Sequence, residues 1–321
     1  LARVADAVTT EFENVPAAAL AALAAQRPVS PAASAVSVAQ DRAREKAHFV
    51  ACGVPCAPYA VIETAEQLAA VSPDLLPGIL KTARMGYDGK GQVRVKTPAE
   101  LAAAWDSVGQ VPCVLEKMLP LQLECSVLVA RGHDGAMVHL PVQRNLHRDG
   151  ILAVTEVYEG NLPPALAAQA VAAAKSVAEG LQYVGVLCVE FFVLQDGSLV
   201  VNEIAPRPHN SGHYSQNACD VSQFELQVRT MAGLPLVQPR QHSAAVMLNL
   251  LGDLWFAQGD AEQTPPWAAV LALPGAHLHL YGKREAKRGR KMGHLNITAA
   301  TPETARATAL KAAALLGIAP F

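Results

Sequence analysis

Residues 189–205 read VEFFVLQDGSLVVNEIA, two apolar runs on either side of an Asp-Gly pair. Runs of this kind joined by Asp196–Gly197 predict two antiparallel strands and a β-hairpin. With a two-residue turn, Glu190 lies directly opposite Glu203, and the Cβ atoms are about 5 Å apart. A four-residue loop keeps this register, whereas a loop of odd length shifts it by one residue.

Two carboxylates on one face of a strand pair repel each other, and apolar surroundings make both costly to ionise. A bound divalent cation removes the conflict, and Mg²⁺ suits the pair because it prefers oxygen ligands and is shared with substrate phosphates. Glu190 and Glu203 are therefore the predicted metal ligands, and the adjacent Asn202 would supply another oxygen or contact phosphate. The alternative is a carboxyl group with a raised pKa at a solvated sheet edge.

A glycine-rich stretch, RMGYDGKGQV at 84–93, lies between two further predicted strands, GILKT (78–82) and QVRVK (92–96). Glycine-rich loops of P-loop and Rossmann proteins lead from a strand into a helix, and a P-loop also carries Gly-Lys-Ser/Thr. Here the glycine-rich stretch leads into a predicted strand rather than a helix, and it contains Gly-Lys-Gly instead of Gly-Lys-Ser/Thr. What remains is a flap between two strands, whose backbone amides would close over an anion while Lys90 adds charge. The alternative is a glycine-rich hairpin loop without a ligand.

The composition argues against several classes of protein. A length of 321 residues suggests two domains, or one large domain with appendages, and 51% hydrophobic and 17% charged residues describe a globular chain. The net charge of −2 gives no reason to expect nucleic acid as a partner. No apolar run approaches the roughly 18 residues that a membrane-spanning helix needs. The six cysteines lack CxxC spacing, which favours a reduced, cytoplasmic protein.

The order of elements predicts an α+β core. Strand-like segments outnumber those of a doubly wound parallel sheet, so an antiparallel sheet is favoured. Helix starts are predicted at Thr97, at Thr301 and at Thr64, where Gln67 completes a capping box. Three parts are predicted: the remnant of an N-terminal α/β domain at 1–35, a nucleotide-binding domain at 36–234, and a C-terminal domain at 235–321.

Four separated motifs resemble those of ATP-grasp ligases, specifically the 5-(carboxyamino)imidazole ribonucleotide synthases of purine biosynthesis (the ATPase subunit type). These motifs are GYDGKGQ (86–92), NLHRDGIL (145–152), NEIAPRPHNSGH (202–213) and YGKREAKRGRKMGHLN (281–296). The resemblance begins at EFENVP (11–16) and runs almost to the C-terminus. It implies a mixed α+β and α/β chain with an ATP-grasp fold, a partial pre-ATP-grasp domain and a small C-terminal domain. Members usually begin with a strand and a glycine-rich loop at the ribonucleotide site, which we expect this chain to lack.

The resemblance also implies a reaction. ATP activates bicarbonate as carboxyphosphate, and the amine of aminoimidazole ribonucleotide takes up the carboxyl group, with ADP and phosphate as the other products. The implied cofactors are ATP and Mg²⁺, and the implied partners are these small molecules and a second copy of the chain in a homodimer.

Roles in ATP binding are carried over residue by residue. Arg42 would contact ATP, Lys81 would reach the α- and β-phosphates, and Glu124 would accept the ribose hydroxyls. His147 matches a nucleotide-contacting position, and Asn202 and Glu203 are the remaining residues predicted to bind the nucleotide. The flap over the phosphates would consist of Gly86, Tyr87, Asp88, Gly89, Lys90, Gly91 and Gln92. The hinge that binds adenine would consist of Glu116, Lys117, Met118 and Leu119.

Four residues are predicted to act on the other substrates. Asp88 would face the aminoimidazole amine, and Arg207 would anchor bicarbonate or the transferring phosphate. Lys283 and Arg290 would grip the 5′-phosphate of the ribonucleotide. Further residues expected at this end of the cavity are Glu11, Glu13, His209, Asn210, Ser211 and His213.

Several alternatives stay open at this point. Another ATP-grasp enzyme, such as a formate-using purine transformylase or a biotin carboxylase, would share the hairpin and the flap. A nucleotide-binding module without catalysis belongs to a different class. Read without the resemblance, Arg42 is a solvated helix charge and His147 is a satisfied loop residue. Arg207 would then be a structural arginine that pairs a carboxylate, and the run 283–291 a solvated charged loop or a weak nucleic-acid patch.

Overall fold

The computed structural model describes residues 1–86, 91–257 and 259–321. Its helices are α1 (Ala17–Ala24), α2 (Ala33–Ala39), α3 (Arg42–Ala51), α4 (Ala65–Ala69), α5 (Pro98–Ser107), α6 (Pro164–Gly180), α7 (Ser215–Ala218), α8 (Gln223–Met231), α9 (Trp267–Leu271) and α10 (Pro302–Leu316). Its strands are β1 (Tyr59–Ile62), β2 (Gly78–Thr82), β3 (Gln92–Val95), β4 (Cys113–Lys117), β5 (Leu121–Arg131), β6 (Met137–His139), β7 (Gln143–Arg148), β8 (Ile151–Val157), β9 (Gly185–Leu194), β10 (Leu199–Ala205), β11 (Ala244–Leu251), β12 (Ala276–Leu280) and β13 (Lys291–Ala299).

These strands form two sheets. The smaller sheet has four strands in the order β1-β4-β2-β3, and the larger has nine, in the order β10-β9-β5-β7-β8-β11-β13-β12 with β6 beside β5. The pairings between named strands are antiparallel, as the α+β prediction requires. Because β8 pairs with β11, the large sheet continues through the predicted boundary at 234/235.

Helices cover both faces of the large sheet. Ala170, Ala174 and Val177 of α6 pack against one face, where they meet Val127 and Val189. Small alanine side chains let the helix approach the sheet closely. On the opposite face α8 packs against the alternate residues of the same strands, since successive side chains of a strand point to opposite sides. None of the described helices has the length and apolar character needed to cross a bilayer.

The predicted helix starts are confirmed. Thr97 accepts a hydrogen bond from the N–H of Glu100, and Thr301 accepts one from the N–H of Thr304. Thr64 and Gln67 form the predicted capping box. Each bond satisfies a backbone donor that the first turn leaves without a helical partner.

The β9–β10 turn differs from the predicted two-residue turn. The N–H of Leu194 donates to Ser198 O, and the N–H of Gly197 donates to Leu194 O, both at 2.9 Å. Three residues therefore form the loop, and Gly197 adopts φ 81° in the left-handed region that glycine tolerates. The loop is of odd length, so it displaces the register by one residue.

A second irregularity restores the predicted pairing of the two glutamates. Val201 pairs with Phe191, the register shifts between Val201 and Glu203, and Glu203 then lies opposite Glu190. Asn202 is the extra residue at this shift, which behaves as a β-bulge. The predicted turn is wrong, whereas the predicted facing of Glu190 and Glu203 is confirmed.

The two strands around the glycine-rich stretch form the predicted hairpin. Strands β2 and β3 pair with Lys81 opposite Gln92, and the N–H of Thr82 donates to Gly91 O at 2.9 Å. The four predicted flap residues Tyr87, Asp88, Gly89 and Lys90 lie outside the described residues. A paired strand therefore borders the glycine-rich stretch on each side.

Candidate active site

A cavity of about 960 Å³ lies between the two sheets. The small sheet contributes β2, β3 and β4 to its wall, and the large sheet contributes β5, β7, β9 and β10. Predicted residues in the lining are Glu13, Arg42, Lys81, Gly86, Gln92, Glu116, Lys117, Met118, Leu119, Glu124, His147, Glu190, Asn202, Glu203, Arg207, His209 and Asn210. Predicted residues that the structure describes but does not place in the lining are Glu11, Gly91, Ser211, His213, Lys283 and Arg290.

The facing carboxylates Glu190 and Glu203 differ in their surroundings. Arg42 Nη1 lies 3.0 Å from Glu203 Oε2. Burial works to raise the pKa of Glu203, but Arg42 and Lys81 outweigh it and hold this pKa below its usual range. Burial raises the pKa of Glu190, and the negative charge of Glu203 raises it further. One carboxylate is thus easier to ionise than an isolated glutamate, and the other is harder to ionise.

Two histidines lie beside these carboxylates. His209 Nε2 is 3.1 Å from Glu190 Oε1, and His147 Nδ1 contacts Glu124. Burial works to lower the pKa of His147, but Glu124 and Glu190 prevail and raise it. Burial lowers the pKa of His209 well below its usual range, which keeps that ring neutral.

The oxygen atoms at the hairpin fit a hard divalent cation. The carboxylates of Glu190 and Glu203 lie opposite each other, and the Oδ1 atom of Asn202 is buried without a hydrogen-bond partner among the described residues. A buried oxygen without a partner is costly, and a cation would satisfy it. The residues present therefore fit Mg²⁺, which takes carboxylate and amide oxygens as ligands.

A second charged cluster joins the two sheets. Lys46 Nζ and Lys81 Nζ lie 3.2 Å and 3.1 Å from the same oxygen of Glu116, and Lys46 also donates to Asn202 O at 2.9 Å. Burial works to raise the pKa of Glu116, but the two lysines lower it. The other oxygen of Glu116 has no hydrogen-bond partner among the described residues, so it remains able to accept one from a ligand.

The sequence patterns did not lead to a prediction for Lys46, although its spacing from Arg42 could have indicated it. It stands four residues after Arg42 in a predicted helix, so both side chains lie on one face. Glu45, three residues after Arg42, shares this face and was missed as well. Its carboxylate is buried and accepts a hydrogen bond from the N–H of Ile204 at 2.8 Å.

The buried carboxyl group of Glu45 should make the thermal stability of the protein depend on pH. Burial raises its pKa to about 8, although Lys46 and Arg42 oppose the rise. The native state therefore keeps a proton that the unfolded chain has lost by about pH 5, and unfolding releases it. We expect the Tm of the protein to fall, relative to that of Glu45→Gln, as the pH rises from about 5 to about 8.

Calorimetry of both proteins across this range measures the difference. Glu225→Gln is the control, because the side chain of Glu225 is 46% exposed and lies in a surface pair with Arg229. A Tm difference between the protein and Glu45→Gln that stays constant with pH would contradict the raised pKa.

Of the two N-terminal glutamates expected at the ribonucleotide end, Glu13 lines the cavity, whereas Glu11 is outside its lining but interacts electrostatically with Lys283. Both Nε and Nη2 of Arg207 contact the carboxylate of Glu13, and Arg207 Nη1 donates to Pro208 O at 3.0 Å. Gln40 donates to the carbonyl groups of Glu13 and Val15, which holds this segment against the core. The guanidinium of Arg207 is thus oriented in the cavity wall before any substrate binds.

The basic run 283–291 forms an exposed loop between β12 and β13. Lys283 Nζ donates to Lys291 O at 2.5 Å, and Arg290 Nη1 donates to Glu285 O at 3.0 Å. The N–H of Gly252 donates to Arg290 O at 2.8 Å, which fixes the base of the loop. Lys291 lines the cavity, whereas Lys283 and Arg290 do not.

His213 and Ser211 lie behind the cavity wall rather than in it. The His213 ring stacks on His294 with the centroids 4.4 Å apart, and Ser211 Oγ is 2.8 Å from Ser126 Oγ. The expectation that both line the cavity is therefore wrong. Ser211 Oγ is occupied by Ser126 of the large sheet, and His213 Nδ1 lies 2.9 Å from Gln223 Nε2 at the start of α8.

Family models match consecutive parts of the chain. Residues 1–40 match the ribonucleotide synthetase preATP-grasp domain, residues 47–224 the ATP-grasp domain, and residues 245–308 the phosphoribosylaminoimidazole carboxylase C-terminal domain. The N5-carboxyaminoimidazole ribonucleotide synthase of Brucella melitensis is 43% identical over 311 residues, which cover 95% of this chain and 82% of that protein.

Solved structures give the same result. The N5-carboxyaminoimidazole ribonucleotide synthetase of Thermus thermophilus has a TM-score of 0.88 at 37% identity, covering 100% of this chain and 84% of that one. The Aspergillus clavatus enzyme in complex with ADP and 5-aminoimidazole ribonucleotide has a TM-score of 0.88 at 28% identity, with 98% and 83% covered. This chain belongs to the N5-carboxyaminoimidazole ribonucleotide synthase family of ATP-grasp ligases.

Proposed function

We propose that this protein carboxylates the amine of 5-aminoimidazole ribonucleotide. ATP and bicarbonate would form carboxyphosphate, the amine would take up the carboxyl group, and ADP and phosphate would leave with the carbamate. The observation that carries this proposal is the carboxylate pair Glu190 and Glu203, which faces the cavity between the two sheets beside Arg42. Such a pair fits an enzyme that moves a phosphoryl group with a bound cation.

Mg²⁺ would be held by Glu190 and Glu203, with Asn202 Oδ1 as a further oxygen. When bound, the ion would offset the charge of the phosphate oxygens. Arg42 and Lys81 would bind the same phosphates, because both cations lie in the cavity wall within one charged cluster. The flap would exclude water, from which carboxyphosphate must be protected.

The adenine end of the cavity would lie at residues 116–119. The unpartnered oxygen of Glu116 would accept a hydrogen bond from the adenine amino group. The N–H groups of Lys117 and Met118 already donate to Pro58 O and Pro77 O, so other groups of the segment would contact the ring. Glu124, with His147 beside it, would accept the ribose hydroxyls.

Bicarbonate would bind at Arg207, whose planar guanidinium can donate two parallel hydrogen bonds to an anion. In the structure the carboxylate of Glu13 occupies this fork. Both donors of the fork, Nε and Nη2, contact one oxygen of Glu13, so bicarbonate would have to displace this carboxylate in order to bind there. Lys283 and Arg290, in the exposed loop, would grip the 5′-phosphate, and Asp88 would face the amine.

Two further properties are part of the proposal. A homodimer is implied by the resemblance to the family. A cytoplasmic location is supported by six free cysteines, because disulfides are usual in oxidising compartments.

The test is ADP release from Mg-ATP with and without bicarbonate and aminoimidazole ribonucleotide. We expect turnover that needs bicarbonate and that the ribonucleotide stimulates. ADP release that ignores the ribonucleotide would indicate a different acceptor amine. No turnover from a folded protein would favour a nucleotide-binding module.

Substitution of Gly252 should selectively weaken the binding of the ribonucleotide. A Cβ atom at this position would lie 2.1 Å from Lys287 O in the backbone of the basic loop, so Gly252→Ala must displace the loop. We expect the KM for the ribonucleotide to rise about tenfold or more, since Lys283 and Arg290 move with the loop. The KM for ATP should change little.

Steady-state kinetics with each substrate varied in turn measures this effect. Gly132→Ala is the control, because its Cβ would approach the movable end of the Asp134 side chain at 2.7 Å and would otherwise make ordinary contacts with side chains. An equal rise in both KM values in Gly252→Ala would mean a general disturbance of the fold instead.

A further inference from the structure

Cys188, Glu190 and His209 bring a thiol, a carboxylate and an imidazole together. Cys188 and Glu190 are two residues apart on β9, so their side chains project from the same face of the large sheet. His209 follows the neighbouring strand β10. One ligand atom of each residue lies within 4.8 Å of those of the other two. This cluster contains a soft sulfur donor that the hairpin pair Glu190 and Glu203 lacks.

We propose that this trio is a binding site for a soft divalent cation of the zinc class. Thiolate and imidazole ligands favour Zn²⁺ over Mg²⁺, which takes oxygen ligands. Tetrahedral zinc ligands of these types stand roughly 3.3–3.8 Å apart, so side-chain shifts of about 1 Å complete the geometry. Glu190 and His209 line the cavity, which supplies an entry path and an open fourth position.

The surroundings of His209 suit a metal ligand. The His209 Nε2 atom faces Glu190, and Nδ1 lies 3.0 Å from Ser211 Oγ. A metal at Nε2 requires the ring proton on Nδ1, where Ser211 Oγ can accept it, and the backbone N–H of Ser211, which donates to Nδ1 at 3.3 Å in the structure, would have to give up that contact. Ser211 Oγ is itself held by Ser126 Oγ at 2.8 Å, so the ring would be fixed by a second layer of hydrogen bonds. Cys188 would release its thiol proton to solvent when the metal binds.

Occupation of this site would inhibit the enzyme. The metal takes Glu190 away from the pair that Mg²⁺ would use, and it places a second dication beside Glu203. This consequence rests on the function proposed above for Glu190, whereas the metal binding rests only on the three ligands. Cys188 has no part in the proposed reaction, so its removal should leave basal turnover unchanged.

Cadmium titration tests the site directly, because a cadmium–thiolate bond gives an ultraviolet charge-transfer band. The proteins compared are the parent, Cys188→Ala and Cys219→Ala. Cys219 is buried in the same core cluster as Cys188 but is not part of the trio. We expect Cys188→Ala to lose one thiolate equivalent of the band and Cys219→Ala to keep it. A band of full intensity in Cys188→Ala, with its far-ultraviolet circular dichroism unchanged, would overturn the site.

Zinc inhibition of ADP release tests the consequence. At fixed Mg-ATP, the Zn²⁺ concentration for half-inhibition should rise about tenfold or more in Cys188→Ala and stay unchanged in Cys219→Ala. Equal half-inhibition in all three proteins would overturn the inhibitory role, even where the cadmium band depends on Cys188. If the parent protein releases no ADP, the proposed function fails, and the cadmium band still decides whether the site exists.

Discussion

Glu203→Gln should lower ADP release by about a thousandfold or more, because a bound cation contributes several kcal/mol of transition-state stabilisation and each 1.36 kcal/mol is a factor of about ten in rate. Glutamine has nearly the same shape as glutamate, so the β9–β10 pairing should persist. The substitution removes a negative charge that Arg42 contacts at 3.0 Å and leaves Glu190 as the one carboxylate of the pair. The remaining oxygen atoms would hold Mg²⁺ weakly and in a different position.

The measurement is single-turnover and steady-state ADP release at saturating Mg-ATP and bicarbonate. Glu225→Gln, the same chemical change at an exposed surface pair, should keep full turnover. Circular dichroism of both variants confirms folding. If Glu203→Gln retained turnover within about fivefold of the parent, the carboxylate pair would not be the metal site, and the cation would have to bind elsewhere in the cavity.

Arg207→Ala has the second largest expected effect on catalysis, and it should impair the use of bicarbonate more than the use of ATP. The value of kcat/KM for bicarbonate should fall by about a hundredfold or more, because the substitution removes a charged, two-pronged donor to the anion. The KM for ATP should change by less than threefold, since Arg42 and Lys81 bind the phosphates in this proposal. The carboxylate of Glu13 would also lose its partner, which contributes to the effect.

Two further variants separate these contributions. Arg229→Ala breaks an arginine–glutamate pair of similar geometry on the surface of α8 and should leave kinetics unchanged. Glu13→Gln leaves the arginine in place and should preserve most of the activity. A parallel loss for ATP and bicarbonate in Arg207→Ala would assign this residue to the transferring phosphate rather than to bicarbonate.

Local sequence patterns were sufficient for several elements of this fold. Helix starts at Thr64, Thr97 and Thr301 depend on bonds between residues three positions apart, so short-range chemistry specifies them. The strands around the glycine-rich stretch were predicted from other local patterns, such as the alternation of apolar and polar residues in QVRVK (92–96). The turn of the β9–β10 hairpin was not, because a three-residue loop and the shift at Asn202 compensate each other.

The cavity shows the limit of such patterns. Lys46 reaches Glu116, 70 positions away in the sequence, and Arg207 reaches Glu13 across a separation of 194 residues. Nothing in the neighbourhood of either residue specifies its partner. The motifs indicated many of the site residues but not Lys46 or Glu45, and only the packing of the two sheets around one cavity showed which charges pair with each other.

Strands, caps, the glutamate pair and the family resemblance followed from the order of amino acids alone, since each depends on spacing along the chain. The division of protonation between Glu190 and Glu203, the buried cluster at Glu116 and the thiol beside His209 were decided by tertiary structure. The physical reason is that these properties depend on burial and on charges within a few ångströms, and both arise only when distant segments meet.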